Sequence, residues 1–160
     1  MTPKQFCAHF DACPDGAEFA AKFKTMAEVW DACPRADWLI WILDKLEIRD
    51  DKKLSLFGCW CVRHTQLADG RTVWDLLTDE RSRKAVEVAE AFARGEATQE
   101  QLVAARDAAR AALAAAGDDA WDARDAAQKQ QSDHLRTMFP NPFKKEETKG
   151  DYPLATRNIP

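Results

Sequence analysis

The sequence has little of what builds β-strands or interrupts helices. Its 160 residues include only 1 tyrosine, 6 glycines and 7 prolines, and the valine, isoleucine and threonine enrichment that is typical of strands is missing. Alanine, the best helix former, is very common instead. This composition predicts an all-α fold.

Long hydrophobic runs are missing as well. A helix that crosses a membrane requires roughly 18 or more consecutive apolar residues, and no stretch approaches that length. The first residues, Met1 to Gln5, lack the apolar segment and the cleavage site of a signal peptide. We therefore expect a soluble, cytoplasmic protein with no membrane partner.

Charge of one sign does not dominate. There are 23 Lys and Arg residues against 27 Asp and Glu residues, and the formal net charge is -4. Proteins that bind duplex nucleic acid usually carry a basic patch or stripe, so this balance disfavours direct nucleic-acid binding. The excess of acid is also too small to suggest strong mimicry of DNA.

The most informative stretch that is present runs from Ala36 to Thr65 and holds two apolar segments. Residues 37–46, with the sequence DWLIWILDKL, are apolar on nearly every helical face, which is typical of a buried helix. In the second segment, Leu54, Phe57, Cys61 and His64 follow one stripe of a helix. We expect the two to form a central apolar helical hairpin.

Helix starts are marked by N-cap residues. Thr2, Asp15, Thr25 and Thr98 each precede a glutamate or glutamine by three residues, which is the pattern of a capping box, and Thr72 and Thr78 are expected to be further N-caps. The predicted helices span 3–12, 16–23, 26–32, 36–47, 51–66, 73–77, 79–94 and 99–138. The last span is one helix or two, because Gly117 is unfavourable in a helix interior.

These helices predict a single-domain helical bundle over residues 1–143, with long alanine-rich helices at its C-terminal end. Residues 144–160 carry few apolar side chains, and we expect them to be an extended or disordered tail. Within the domain, the sequence FDACP at 10–14 recurs as WDACP at 30–34. We interpret this echo as two short helices that end alike at a proline, each anchoring an aromatic ring and a thiol.

The cysteines and histidines offer two candidate chemical sites. Cys59 and Cys61 point about 200° apart on a helix, so they cannot hold one metal ion together. His64 shares a helix face with Cys61, as His9 does with Cys13. The five cysteines are an odd number in a chain without an export signal, so we expect packed, reduced thiols and neither a metal nor a cofactor. They are Cys7, Cys13, Cys33, Cys59 and Cys61.

A thiol nucleophile is the second possibility. Cys61 and His64 could form a nucleophile and base pair, but a reactive cysteine needs an electropositive, partly open setting. Cys61 lies instead among Phe57, Trp60 and Val62. The sequence also lacks a phosphate-binding glycine loop, a serine nucleophile elbow and an HExxH motif. We therefore expect no enzymatic activity and no catalytic residue.

The six tryptophans suggest a binding surface. Trp30, Trp38, Trp41, Trp60 and Trp74 are expected in the core, which is where large aromatic side chains usually contribute most. Trp121 differs because acidic residues surround it, namely Asp118, Asp119, Asp122 and Asp125. One interpretation is a single large side chain packed between alanine-rich helices. The other is an aromatic anchor ringed by carboxylates that binds a basic protein partner.

The sequence resembles a group of alanine-rich helical proteins of bacterial and phage genomes that are labelled as immunity proteins. The resemblance lies in residues 74–90 (WDLLTDERSRKAVEVAE), in CWCVR at 59–63, in DWLIW at 37–41 and in FPNPF at 139–143, and it covers roughly residues 7–143. It implies an all-α fold and a role in toxin neutralisation or in conflict between phage and host. Such a role includes inhibition of a bacterial defence nuclease of the CRISPR type.

These observations favour a non-enzymatic inhibitor that occupies the surface of a protein partner, a toxin or a defence effector. Two alternatives stay open. One is a small metal-dependent or thiol-dependent enzyme centred on Cys61 and His64. The other is a self-associating structural protein, in which an alanine seam packs across the two-fold axis of a homodimer.

Overall fold

The computed structural model describes residues 1–66, 69–104 and 124–144, with the side chains of the last range described from Ala127 onward. All of the regular structure in these residues is helical, which confirms the all-α prediction. The helices are α1 Pro3–His9, α2 Pro14–Ala20, α3 Met26–Ala32, α4 Ala36–Lys45, α5 Asp51–His64, α6 Val73–Leu76, α7 Glu80–Arg94 and α8 Arg124–Met138. Residues 99–104 are also helical. None of the described helices is both long enough and apolar enough to cross a membrane.

The predicted caps explain most of the helix starts. Thr2, Thr25 and Thr72 each form a complete capping box, and Thr98 exchanges hydrogen bonds with Gln101 in the same way. Two predicted caps are wrong. The N-cap of α7 is Asp79 and not Thr78. The Asp79 carboxylate accepts a hydrogen bond from the backbone amide of Ser82.

The start of α2 is the other wrong prediction. The sequence predicts Asp15 as the N-cap of this helix, but α2 begins two residues earlier than predicted, at Pro14, with Cys13 as its N-cap and no side-chain cap. Proline is favoured in the first helical turn, because its ring fixes a helical φ and its missing N–H is not needed there. Pro14 therefore starts a helix, whereas the echo of 10–14 in 30–34 had suggested that it ends one.

The two copies of that echo are used differently. In the second copy, Trp30 and Cys33 are both buried, as expected. In the first copy, α1 ends at His9, and the chain turns at Asp11, which adopts a φ of 54°. Cys13 is consequently exposed, so the prediction that both copies anchor a thiol holds only for 30–34.

The helices are joined around α8. α5 packs most extensively on α7 and also contacts α6, while α1 contacts α2 and α2 contacts α3. α4 and α5 follow one another as predicted, but their main shared neighbour is α8, which packs on both of them. The two apolar helices are thus brought together through the C-terminal helix.

One apolar cluster links α1 through α5 to α8. Its buried members are Phe6, Cys7, Ala20, Met26, Val29, Trp30, Cys33, Ala36, Leu39, Ile42, Leu43, Phe57, Leu135 and Phe139. Leu39 and Leu135 have no exposed surface, and they come from α4 and α8 respectively. Each fully buried side chain of this size contributes about 2 kcal/mol to folding, so the contact between these helices is a major source of stability.

A single arginine fastens α8 to the end of α3. Arg136 donates a hydrogen bond from Nε to the carbonyl of Trp30 (2.9 Å) and another from Nη2 to the carbonyl of Cys33. The last carbonyl groups of a helix have no partner within it. Arg136 satisfies them and places its positive charge where the helix dipole is negative.

The chain after α8 returns to the N-terminal helices. The Asn141 amide donates to the carbonyl of Ala27 (2.9 Å) and to the carboxylate of Asp31 (2.8 Å), and Lys144 lies 2.6 Å from the same carboxylate. Phe143 meets Phe6 edge to face. Residues 139–144 therefore pack on α1 and α3. The rest of the predicted tail, 145–160, lies outside the described residues.

Candidate functional site

The Cys61 and His64 pair does not have the geometry of a nucleophile and its base. Cys61 is half-buried on α5, and burial raises the pKa of its thiol to about 12. Its polar partner is Thr65, and His64 is exposed and packs against the ring of Trp60 at a centroid distance of 5.7 Å. A thiol with such a pKa is almost entirely protonated at neutral pH, whereas the thiolate is the nucleophile.

The second predicted pairing, His9 with Cys13, is not formed on one helix face. α1 ends at His9, and Cys13 lies beyond the turn at the start of α2. His9 instead packs edge to face on Phe10, with ring centroids 4.6 Å apart. Among the residues that the structure describes, His, Cys, Asp and Glu side chains form no group of three or more that could hold a metal ion.

The buried face of α5 is wider than the predicted stripe, because α7 and α8 pack on different sides of this helix. Ser55, Phe57 and Cys59 are its buried residues, while the predicted stripe member His64 is exposed. Cys59 donates its S–H to the carbonyl of Val86 on α7 at 3.6 Å. Its role there is to fill the α5–α7 contact, as expected for a packed thiol.

Arg63 joins the same two helices at the surface. Its guanidinium makes a two-point contact with the carboxylate of Glu90, with an Nη2 to Oε2 distance of 3.0 Å. The same guanidinium lies 4.0 Å from the ring centroid of Trp74, and that of Arg83 lies 5.4 Å from it. The Trp74 ring thus contacts two guanidinium groups. It is half-buried, contrary to the expectation of a core position.

The indole of Trp60 also lies at a helix contact. It stacks on the imidazole of His134, from α8, with centroids 3.7 Å apart and an angle of 12° between the rings. Burial lowers the pKa of His134, and the nearby His64 lowers it further. Of the five tryptophans predicted to lie in the core, only Trp30 is fully buried, and Trp38, Trp41, Trp60 and Trp74 are half-buried.

A cavity between the first four helices was not predicted. It has a volume of about 350 Å³, and its deepest walls are the buried side chains of Phe6, Ala20, Val29, Cys33 and Ile42. Four separate helices and the loops between them supply the lining. The lining residues all lie between Phe6 and Ile42, but they come from different helices. The sequence signal for this region was the repeated Cys-Pro pair at 13–14 and 33–34, which contributes two of the thiols.

The mouth of this cavity is polar and partly exposed. Arg35 and Asp37 form a two-point ion pair there, with distances of 3.1 and 2.6 Å, and Arg35 also lies 4.6 Å from the ring centroid of Trp38. Cys13 is exposed at the same edge. Burial raises the pKa of Cys7 on the inner wall, and the neighbouring Cys13 thiol raises it further.

The predicted partner-binding residues lie just before, or in the first turn of, α8. Asp118, Asp119, Trp121 and Asp122 fall outside the described residues, and of Asp125 only the helical backbone is described. The middle of α8 lies near the end of α5, since the Gln130 side chain accepts a hydrogen bond from the amide of Gln66 and the Gln131 side-chain amide donates to the hydroxyl of Thr65. In comparisons with known proteins, no family model, no curated protein and no solved structure matches this chain.

Proposed function

We propose that this protein is a non-enzymatic, protein-binding inhibitor, which acts by occupying the surface of a toxin or of a defence nuclease. The observation that supports this function best is the anchoring of α8. Arg136 ties its last turn to the carbonyls of Trp30 and Cys33, and Ser132 and Leu135 have no exposed surface. Of the predicted binding residues, Asp125 belongs to this helix, and Asp118, Asp119, Trp121 and Asp122 precede it in the sequence.

Rigid support matters because association loses conformational freedom. Asp125, which belongs to α8, has less freedom left to lose than a residue on a mobile loop, so more of its contact energy is retained. Trp121 would supply the large aromatic contact area of a hot spot, and the surrounding carboxylates would face a basic partner.

The state of the Cys61 thiol also favours binding over catalysis. A pKa raised to about 12 leaves little thiolate at neutral pH, and His64 is directed to Trp60 and the exterior. The enzyme alternative centred on these two residues therefore has less support than the inhibitor.

The test is titration of a toxin or defence nuclease with the purified protein. An inhibitor that works by occupancy should abolish activity at a molar ratio near one, whereas an enzyme would act at far lower ratios. Light scattering of the protein alone would reveal the alternative homodimer.

Two variants test the surface. Trp121→Ala, and separately the charge reversal Asp118→Lys with Asp122→Lys, should weaken binding by up to a few kcal/mol, about 30-fold or more for a hot spot. Glu18→Lys, which reverses an exposed charge on α2, is the matched control and should leave affinity within twofold. Unchanged affinity in both surface variants would remove this surface from the proposal.

A further inference from the structure

The cavity between α1, α2, α3 and α4 is a cleft that opens to solvent on one side. Ligand pockets begin at roughly 300 Å³. At about 350 Å³ this cavity falls in the range of small-ligand sites. Its inner wall is fully buried while its mouth is exposed, so a molecule could enter from solvent.

The walls favour an aromatic occupant. Phe6, Phe19, Trp38 and Trp41 all line the cavity, and they are already arranged in pairs, with Phe6 and Trp41 at 6.1 Å and Phe19 and Trp38 at 5.7 Å between centroids. Aromatic rings pack well in offset and edge-to-face arrangements, and sulfur atoms make favourable contacts with ring edges. Cys7, Cys13 and Cys33 place three such sulfur atoms on the same walls.

The charges favour an uncharged occupant. Among the described residues that line the cavity, the charged side chains are those of Arg35 and Asp37. They form an ion pair with two hydrogen bonds, and the Arg35 guanidinium also packs over the ring of Trp38. A charged ligand would have to lose its hydration without gaining a free counter-charge, which is costly in an apolar site.

Gly16 lines the cavity near Cys13 and Trp38. A methyl group at Gly16 would lie 3.2 Å from the Cys13 sulfur and 3.8 Å from Cε2 of Trp38. Cys13 and Trp38 therefore both lie close to Gly16, and since Cys13 is exposed and lines the cavity, a molecule in the cavity would cover its thiol.

We propose that this cavity is a binding site for a small, uncharged aromatic molecule of about the size of one fused ring pair. The site belongs to α1–α4, and its described lining contains none of the predicted partner-binding residues. The inference does not depend on the inhibitory function.

Indole is a suitable probe. Titration of the whole protein, followed by calorimetry or by NMR, should give a dissociation constant on the order of 0.1 mM. Indole-3-acetate, which adds a carboxylate to the same rings, should bind at least about tenfold more weakly because it carries a charge. No binding of indole at millimolar concentration, or equal binding of the acid, would overturn the proposal.

The location of the binding site is tested by a larger side chain that fills part of the cavity. Ala12 lines the site, so Ala12→Leu should occupy part of the volume and weaken indole binding about tenfold or more. Ala8→Leu places the same side chain on the exposed side of α1 and is the matched control. Equal affinity in the two variants would contradict the assignment.

A second readout uses the unaltered chain and so does not depend on how Ala12→Leu folds. Alkylation of the exposed Cys13 by iodoacetamide, followed residue by residue by mass spectrometry, should slow when indole occupies the cavity. The rate at Cys61, which lies on α5 away from the cavity, should not change. An unchanged rate at Cys13 under saturating indole would contradict the site.

Discussion

At the scale of single residues, the polar side chains of the described chain act mostly on backbone groups at helix ends. Thr2, Thr25 and Thr72 satisfy the amides that begin helices, and Arg136 satisfies carbonyls that end one. Among the described side chains, no buried nitrogen or oxygen lacks a hydrogen-bond partner. The stability of the protein should consequently depend strongly on a few side chains that have such partners.

Arg136 is the clearest case. Arg136→Ala removes hydrogen bonds to the carbonyls of Trp30 and Cys33 and leaves them without this donor, so it should lower the free energy of unfolding by about 2–4 kcal/mol. Arg136→Lys should recover only part of this loss, since an ammonium group cannot reach both carbonyls as a planar fork does. Arg81→Ala, which removes an exposed pair with Asp79, is the control and should cost less than about 1 kcal/mol. Urea denaturation measures all three.

Thiol reactivity separates the cysteines in the native state. At pH 8 the exposed Cys13 should react with a disulfide reagent at the rate of an accessible thiol, while Cys61 should react at least about a hundredfold more slowly, because its pKa is raised to about 12. Quantification of labelled peptides over time checks this. A fast reaction at Cys61 would restore the alternative of a thiol enzyme.

At the scale of helices, local sequence signals predicted starts and lengths well, but they did not predict which faces are buried. The capping patterns at Thr2, Thr25 and Thr72 are local, and the structure contains them. The burial of Ser55 and Cys59 depends on α7 packing against a second side of α5, which no pattern within α5 reveals. Arg136 likewise looks like an ordinary surface residue of a polar helix until α3 is placed beside it.

The contact between α5 and α8 should be sensitive to pH. Burial and His64 lower the pKa of His134 in the folded state, so the unfolded chain takes up the proton first as pH falls. The stabilisation is therefore complete above the ordinary histidine pKa of about 6.5 and is lost as pH falls below it. Thermal unfolding between pH 7.5 and pH 5 should show this decrease.

His134→Phe is the informative variant, because it keeps an aromatic ring on Trp60 and removes the titrating group. Its stability should change less than that of the wild type over the same pH range. The carboxylate of Asp31 is not a confounding group there. Burial raises its pKa, but hydrogen bonds from Lys144 and Asn141 outweigh that effect and lower it. Asp31 therefore loses its stabilisation only at still lower pH. An identical pH dependence in His134→Phe and wild type would contradict the assignment.

At the scale of the whole molecule, α8 connects two groups of helices. It contacts α4 through the main apolar cluster and α5 through Phe57, Trp60 and the caps near Thr65. The cavity lies on one side of this connection, among the consecutive helices α1–α4, and no pattern within a single helix predicted it. The partner surface is a prediction from the sequence, and of its residues only Asp125 belongs to the described part of α8.

We expect α8 to make these helices one cooperative unit, and pulsed thiol labelling during guanidinium unfolding tests this most directly. Cys33 is buried near α3 and Cys59 is buried between α5 and α7, so they report on the two sides of α8. Both thiols should become accessible at the same denaturant concentration. In Leu135→Ala, both transitions should move together to lower denaturant, with a loss of about 2–5 kcal/mol. Separate transitions for Cys33 and Cys59 in the unaltered chain would contradict the claim.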